Sequence, residues 1–301
     1  QDSATFVVNE PNAISSSGSV VDVTCSGLAD GSITLNLSGG APILNTTWTS
    51  SVAGFIDPNT DDLIDLDSGS YFLNIVDDNG CLYDTSFIVT KPDEIFANGS
   101  ATDVSCNGDA DGTITLATSS GAGGYSWSWT STNGFTSSDE SLTALDTGTY
   151  FVTITDINGC TKDTSLTISQ PDSIDISATT QDILCNGDDD GVIDVTLIGG
   201  FGALTPLWSV VVPGAGIVPG DIDQAGLDGG SYKIVVTDDN GCQDSASYTI
   251  NEPDTIISNG VVVDVSCSGL ADGSISLNLS GGAPILNTTW TSSVAGFVDP
   301  N

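Results

Sequence analysis

Arginine, histidine and methionine are absent from the 301 residues, and lysine occurs only at Lys91, Lys162 and Lys233. Against 40 acidic side chains this leaves a formal net charge of −37. A nucleic-acid-binding surface needs a basic footprint to neutralise phosphates, so that class is excluded. Peripheral binding to anionic lipid is excluded for the same reason. Without histidine, serine-triad chemistry and most zinc sites lack their usual partner. No apolar run approaches the ~20 residues of a membrane-spanning helix. Glutamate is scarce too: it stands at 10, 94, 140 and 252, and aspartate supplies the other 36 acids. Aspartate favours turns and caps, whereas glutamate favours helices. With 35 glycines and abundant Val, Ile, Thr and Ser, the composition is that of an all-β protein. A hydrophobic share of 39% separates it from a disordered acidic tail.

The chain repeats itself. DVTCSGLADGSITLNLSGG around Cys25 returns in related form around Cys106, Cys185 and Cys267. A second motif, LDSGSYFLNIVDDNGC, ends at Cys81 and recurs ending at Cys160 and Cys242. A proline closes each unit, at Pro92, Pro171 and Pro253. The units therefore run over 12–92, 93–171 and 172–253. Residues 1–11 read as the last strand of a preceding repeat, and 254–301 as the start of a fourth. Val21–Asn59 and Val263–Asn301 match at 36 of 39 positions, which defines a three-domain super-repeat of 242 residues. The expectation is a window from a longer array.

Ser32–Ser38 alternates apolar and polar residues, as a half-buried strand does. Trp48, Trp129, Trp208 and Trp290 recur at one position of the unit and are expected to anchor the cores. Leu-Asp-x-Gly-x-Tyr, at Leu66–Tyr71, Leu145–Tyr150 and Leu227–Tyr232, matches the tyrosine corner of immunoglobulin-like sandwiches. Asn-Gly then marks a tight hairpin. The predicted fold is all-β: a tandem array of immunoglobulin-like β-sandwich domains of about 80 residues, with about seven short strands each and almost no helix. One disulfide inside each domain is expected, Cys25–Cys81, Cys106–Cys160 and Cys185–Cys242, with Cys267 pairing beyond residue 301. Pairing across adjacent units is the alternative, because spacing alone does not fix connectivity. Disulfides imply an oxidising, extracellular setting.

Cys106-Asn107-Gly108, Asp111-Gly112, Ile114, Trp129, Gly148-Thr149-Tyr150 and Asn158-Gly159-Cys160 together resemble the SprB repeat. The resemblance covers essentially the whole chain. It implies giant cell-surface proteins of Bacteroidota, exported by the type IX secretion system and serving as gliding adhesins or grapple-like filaments, with no active site. Units 1 and 4 depart from the pattern, with Ser26 and Ser268 in place of Asn.

Asn107, Asp109 and Asp111, and likewise Asn186, Asp188 and Asp190, have the alternating oxygen donors of a calcium loop. The twelfth position of an EF-hand would fall on Thr118 and Leu197, which are not acidic, and unit 1 keeps a single acid, Asp30. Calcium is the one cofactor the sequence suggests; an acidic turn is the plainer reading. Asp77-Asp78 and Asp238-Asp239 precede Asn-Gly turns, and their recurrence suits turn chemistry better than a glycosidase pair. Phe72 and Phe151 fall out of phase with the inward face, as contact-surface candidates. Sequons at Asn36, Asn45, Asn98, Asn278 and Asn287 are short patterns of little weight. No enzyme is expected, since an active site needs one distinct pocket and not a repeated turn. The expected function is the shaft of an extracellular surface filament, self-assembling as a homo-oligomer. The alternative is a monomeric, multivalent adhesin whose loops bind glycans or other surface ligands.

Overall fold

The computed structural model describes residues 2–41, 44–212, 214–283, 287–294 and 299. Among them every regular element is a strand. In the first repeat these are β1 (Ser15–Val21), β2 (Gly31–Ser38), β3 (Leu44–Ser50), β4 (Leu63–Leu66), β5 (Gly69–Asp77) and β6 (Leu82–Val89). The second holds β7 (Phe96–Thr102), β8 (Gly112–Ser119), β9 (Ser126–Ser131), β10 (Thr136–Ser137), β11 (Leu142–Leu145), β12 (Gly148–Thr155) and β13 (Thr161–Ile168). The third holds β14 (Asp172–Gln181), β15 (Gly191–Gly200), β16 (Thr205–Val212), β17 (Gln224–Leu227), β18 (Gly230–Thr237) and β19 (Gln243–Ile250). The fourth contributes β20 (Ile257–Val263) and β21 (Ser274–Ser280).

Each of the first three repeats is an immunoglobulin-like sandwich of two antiparallel sheets. In the first, the sheet orders are β1-β2-β4 and β3-β5-β6. The third repeats this with β14-β15-β17 and β16-β18-β19, and the second adds the short β10 at the edge of β10-β9-β12-β13. Six strands thus stand where about seven were expected in repeats one and three. In the first repeat, aspartates of the β3–β4 loop bond groups of β2 and β3. Asp57 accepts from the Trp48 N–H at 2.9 Å, Asp61 from the Thr46 hydroxyl at 2.8 Å and Asp62 from the Leu35 N–H at 2.8 Å. The Asp57 and Asp62 carboxylates there satisfy backbone N–H groups, as a neighbouring strand's carbonyls would.

The cores follow the sequence periodicity. In the first sandwich Ile33, Trp48, Leu63, Leu66, Tyr71, Leu73 and Ile75 are buried together. Trp208, Leu227, Tyr232, Ile234 and Val236 repeat this in the third. The indole N–H groups donate to loop carbonyls, Trp48 to Asp61 and Trp129 to Asp139. Each corner tyrosine donates to the carbonyl four residues upstream, at 2.8 Å: Tyr71 to Asp67, Tyr150 to Asp146 and Tyr232 to Asp228. That bond lets a phenol enter an apolar core with its hydroxyl satisfied.

By contact the chain divides into two compact units, Gln1–Asp103 with Ala110–Ser169, and Val104–Asp109 with Gln170–Asn301. The cut differs from the repeat boundaries: the β7–β8 loop leaves its own repeat and belongs with the residues that follow. Asp2–Glu10, expected as a strand, is extended chain without strand pairing, and Phe6, Val7 and Val8 are exposed. The matching segment Gln243–Ile250 is a strand because β18 lies beside it; no such neighbour flanks Asp2–Glu10 among the described residues.

Candidate functional site at the covalent joints

The recurring chemistry gathers at the two ends of each sandwich. One end carries the Asp-x-Asn-Gly-Cys turn between β5 and β6, and its copies. Asp77 Oδ1 accepts from the N–H of Asn79 at 2.9 Å and of Cys81 at 2.8 Å, while Oδ2 accepts from the Ala41 N–H at 3.0 Å. Asp156 does the same for Asn158, Cys160 and Ala122, and Asp238 for Asn240, Cys242 and Phe201. All three carboxylates are buried. The backbone N–H of Ala41, then that of Cys81, holds the Asp77 carboxyl below its ordinary pKa. At Asp238 burial pushes upward, but the N–H groups of Phe201, Cys242, Asn240 and Gly241 outweigh it and the net shift is down. Gly80, Gly159 and Gly241 hold φ near +80° in these turns, the left-handed region where glycine is the favoured residue. The paired aspartates of the sequence are therefore turn fasteners, with the first of each pair as the buried one.

The other end carries the loop after the first strand of each repeat. The N–H three residues on bonds the cysteine carbonyl at 3.1 Å in all four copies, at Cys25, Cys106, Cys185 and Cys267. Asp30 accepts from the Thr24 N–H at 3.0 Å, Asp190 from the Leu184 N–H at 3.1 Å and Asp272 from the Ser266 N–H at 3.0 Å. Asp30 and Asp272 also accept from the hydroxyls of Thr24 and Ser266, and these bonds lower both carboxyls from their ordinary pKa. This explains why the last aspartate of the loop persists even where the other acids are lost.

Several of the candidate calcium-loop residues are engaged within the fold. No group of three or more His, Cys, Asp or Glu side chains stands close enough to hold a metal among the described residues. Asn107 gives its amide to the Pro171 carbonyl at 3.0 Å. Asn186 gives its amide to Glu252 and Pro253, and takes a hydrogen bond from Thr255 on its oxygen. Asp190 is spent on Leu184. Asp109 and Asp188 make the loop turn through their backbone N–H groups, donating to Cys106 and Cys185. Asp111 is likewise engaged.

The two ends meet through disulfides that join successive repeats. Cys25 is bonded to Cys160, with Cα atoms 5.5 Å apart, and Cys106 to Cys242, with Cα atoms 5.6 Å apart. The expected pairs Cys25–Cys81, Cys106–Cys160 and Cys185–Cys242 are thus corrected: Cys81, Cys185 and Cys267 are free and exposed. The reason is strand length. Val23, two residues before Cys25, bonds Thr90 just past the end of β6, whereas Cys81 lies just before the start of β6. Eight strand residues hold these ends roughly 27 Å apart at about 3.4 Å per residue. A disulfide needs Cα atoms within about 7 Å.

Each joint carries an additional polar lock. The Asn158 amide donates to the Thr24 carbonyl at 3.2 Å, and the Asn240 amide donates to the Ser105 carbonyl at 2.8 Å. Thr24 and Ser105 each precede the bonded cysteine. The asparagine of the Asn-Gly turn, expected only to favour a hairpin, therefore also reads the partner loop.

Four segments, 17–51, 98–134, 177–209 and 259–293, match the family model described as SprB repeat. The chain carries four SprB-repeat segments. The SprB matches fall on each repeat's first strand, cysteine loop, second strand and tryptophan, so the loop half of every joint lies within them. Solved immunoglobulin-domain structures align with the chain at low similarity. With the eight N-terminal domains of Down syndrome cell adhesion molecule the identity is 13% and the TM-score 0.32, covering 79% of this chain and 34% of that one. The SprB chain thus spans about a third of that structure's length. With the Dscam structure on isoform specificity the values are 10% and 0.28, covering 90% and 86%. With Sidekick-1 domains 1–5 they are 13% and 0.28, covering 88% and 63%. No curated protein matches the chain at a significant level. The SprB repeats mark an adhesin-type repeat region of a cell-surface or extracellular protein. No helix among the described residues is long and apolar enough to cross a membrane.

The contact-surface candidates sit on the outer sheet faces. Phe72 is 49% exposed beside Thr47, Thr49, Asn74 and Asp84, and Phe151 is 47% exposed beside Ser128, Thr130, Thr153 and Asp163. In the third sandwich Lys233 takes this place, paired across the ladder with Ser209 and Ser247.

Proposed function

We propose that this chain is a non-enzymatic, load-carrying stretch of a cell-surface filament shaft, one that serves attachment, gliding or prey capture. The covalent joint carries this reading: the cysteine loop of one repeat is bonded to the Asn-Gly turn of the next, at both Cys25–Cys160 and Cys106–Cys242. A disulfide inside a domain stabilises that domain; one between successive repeats limits how far the array extends under tension. The two closed loops overlap in sequence, so the shortest covalent path from Cys25 to Cys242 uses both disulfides and the 54 residues separating Cys106 from Cys160. Self-assembly of several chains fits a periodic acidic chain whose 242-residue super-repeat presents one set of contacts again and again. Immunogold labelling of intact cells with antibodies raised against this chain tests the reading. Label at repeated intervals along filaments supports a shaft; label confined to filament tips or spread over the cell body contradicts it.

A multivalent adhesin that binds glycans or other surface ligands is the second reading, favoured by the equivalent exposure of Phe72 and Phe151. Lys233 at the same place in the third sandwich breaks that pattern, and avidity needs the same site in every repeat.

A further inference from the structure

The outer sheet faces of the three sandwiches share one layout, and ladder register fixes the equivalent places. In the first, Phe72 lies between Thr49 and Ser86, and Asn74 between Thr47 and Asp84. In the second, Phe151 lies between Thr130 and Ser165, and Thr153 between Ser128 and Asp163. In the third, Lys233 lies between Ser209 and Ser247, and Val235 between Leu207 and Ser245. Along β5, β12 and β18 the central residues alternate with buried ones, so they face away from the core.

The hydroxyl residues beside the first place are kept, while the chemistry around them inverts. Two faces combine an aromatic ring with a carboxylate, Phe72 with Asp84 and Phe151 with Asp163. A shallow hollow opens beside each ring, with that carboxylate in its wall. The third face has a cation where the ring stood and Ser245 where the carboxylate stood. It also carries Leu207 and Val235 where the others are polar, and Leu207 is 61% exposed. Lysine is scarce in this chain, at three residues against 40 acids. Lys91 pairs with Asp67 at 3.7 Å and Lys162 with Glu94 at 2.6 Å, whereas Lys233 has no ion pair among the described residues. The natural complement of an unpaired ammonium on an apolar sheet face is a ring flanked by a carboxylate. The chain carries that complement twice, at the equivalent place.

We propose that the Lys233 face of one copy of this chain docks on the Phe72 or Phe151 face of a second copy, with the ammonium over the ring and beside Asp84 or Asp163. This contact deepens the reading that several chains assemble, and rests on it. A cation over an aromatic face is attracted by the ring quadrupole, and the carboxylate supplies the opposite charge. Like faces do not serve as well: two ring faces bring carboxylates together, and two Lys233 faces bring ammonium groups together. The contact is heterologous, and each copy holds both kinds of face, so association continues past a pair.

Sedimentation velocity of the 301-residue chain over a concentration series tests the contact. Cys81, Cys185 and Cys267 are alkylated first, so that only noncovalent association is read. Salt of about 0.15 M screens charges separated by more than ~8 Å. The expected result is association that Lys233→Ala weakens about fivefold, the worth of one exposed cation–π contact. Lys233→Glu, and separately Asp84→Lys combined with Asp163→Lys, are each expected to stay monomeric, and mixing these two variants restores association. Association of Lys233→Glu as tight as that of the parent would overturn the contact and leave assembly standing through another surface. Two variants that stay monomeric when mixed would overturn the contact as well. A parent chain that is monomeric at every concentration would overturn both the contact and the assembly on which it rests.

Discussion

The side-chain amide of Asn158 reaches back 134 residues to the main-chain carbonyl of Thr24, at 3.2 Å. The contact seats one repeat's turn on the preceding repeat's loop, next to the disulfide that seals it. Asn240 and Ser105 repeat the arrangement one unit on. Two noncovalent locks at equivalent places, each beside a disulfide, make the joint a recurring device of the array and not an accident of two nearby thiols.

If the amide positions the thiols, its removal weakens the bond without touching a cysteine. Asn158→Ala is expected to lower the equilibrium constant for closing Cys25–Cys160 in glutathione buffer about fivefold, and to leave Cys106–Cys242 unchanged. The oxidised fraction of each pair, read by thiol labelling and mass spectrometry, checks this. An unchanged Cys25–Cys160 constant contradicts it.

Tyr150→Phe removes the hydroxyl that bonds the Asp146 carbonyl at 2.8 Å while keeping the ring in the core. Losing one ordinary hydrogen bond costs about 0.5–1.5 kcal/mol. Urea denaturation should show a loss of that size, with the slope unchanged. No loss would mean that water satisfies Asp146 and that the corner bond is dispensable.

Acid should loosen the protein. Asp22, Asp30, Asp77, Asp182, Asp238 and Asp272 all have folded pKa values below their ordinary value. Their contributions are full above the unfolded pKa of about 3.9 and are lost as pH falls through the lower folded values. Asp228 runs the other way: its hydrogen bond with Asp189, and then burial, raise its folded pKa. Its contribution is present at low pH and disappears as pH rises through that raised value. With Glu94, which its hydrogen bond and charge pairing with Lys162 also lower, seven against one, the urea midpoint at constant high salt should fall as pH is lowered from about 5 toward 2. A midpoint that rises over this window would show that relief of repulsion among the 40 acids outweighs the lost turn bonds.

Tension should be limited by the joints. With both disulfides intact, the chain between Cys25 and Cys242 should extend to no more than ~180 Å, the contour of the 54 residues between Cys106 and Cys160 at about 3.4 Å each. Reduced, the 217 residues between Cys25 and Cys242 should reach ~740 Å. Optical-tweezer extension with and without reductant measures the ratio, about fourfold; equal extension in both states contradicts a load-limiting role.

Much of this was legible in the sequence. Alternation put Ile33 and Leu73 inward, the repeated indole marked the core, and Leu-Asp-x-Gly-x-Tyr placed Tyr71, Tyr150 and Tyr232 with their corner bonds. Such patterns are local, because one strand or one turn decides them. The cysteine pairing is not local. It depends on which end of a sandwich each thiol occupies, a distance set by the eight residues of β6 and invisible in the spacing from Cys25 to Cys81. The acidic loop carries bonds that its sequence alone does not announce. Asp30, Asp190 and Asp272 bond their own loop, and Asn107 and Asn186 bond the carbonyl of the proline that closes the repeat. The one signal available was unit 1, which keeps Asp30 alone: a residue that persists when its fellow ligands are gone serves the fold.

The most direct measurement is peptide mapping of the unreduced chain by mass spectrometry after proteolysis, with free thiols blocked beforehand. The joint account predicts crosslinked peptides containing Cys25 with Cys160 and Cys106 with Cys242, and blocked Cys81, Cys185 and Cys267 in the monomer. Peptides linking Cys25 to Cys81 and Cys106 to Cys160 would contradict it, returning each disulfide to the inside of a single sandwich.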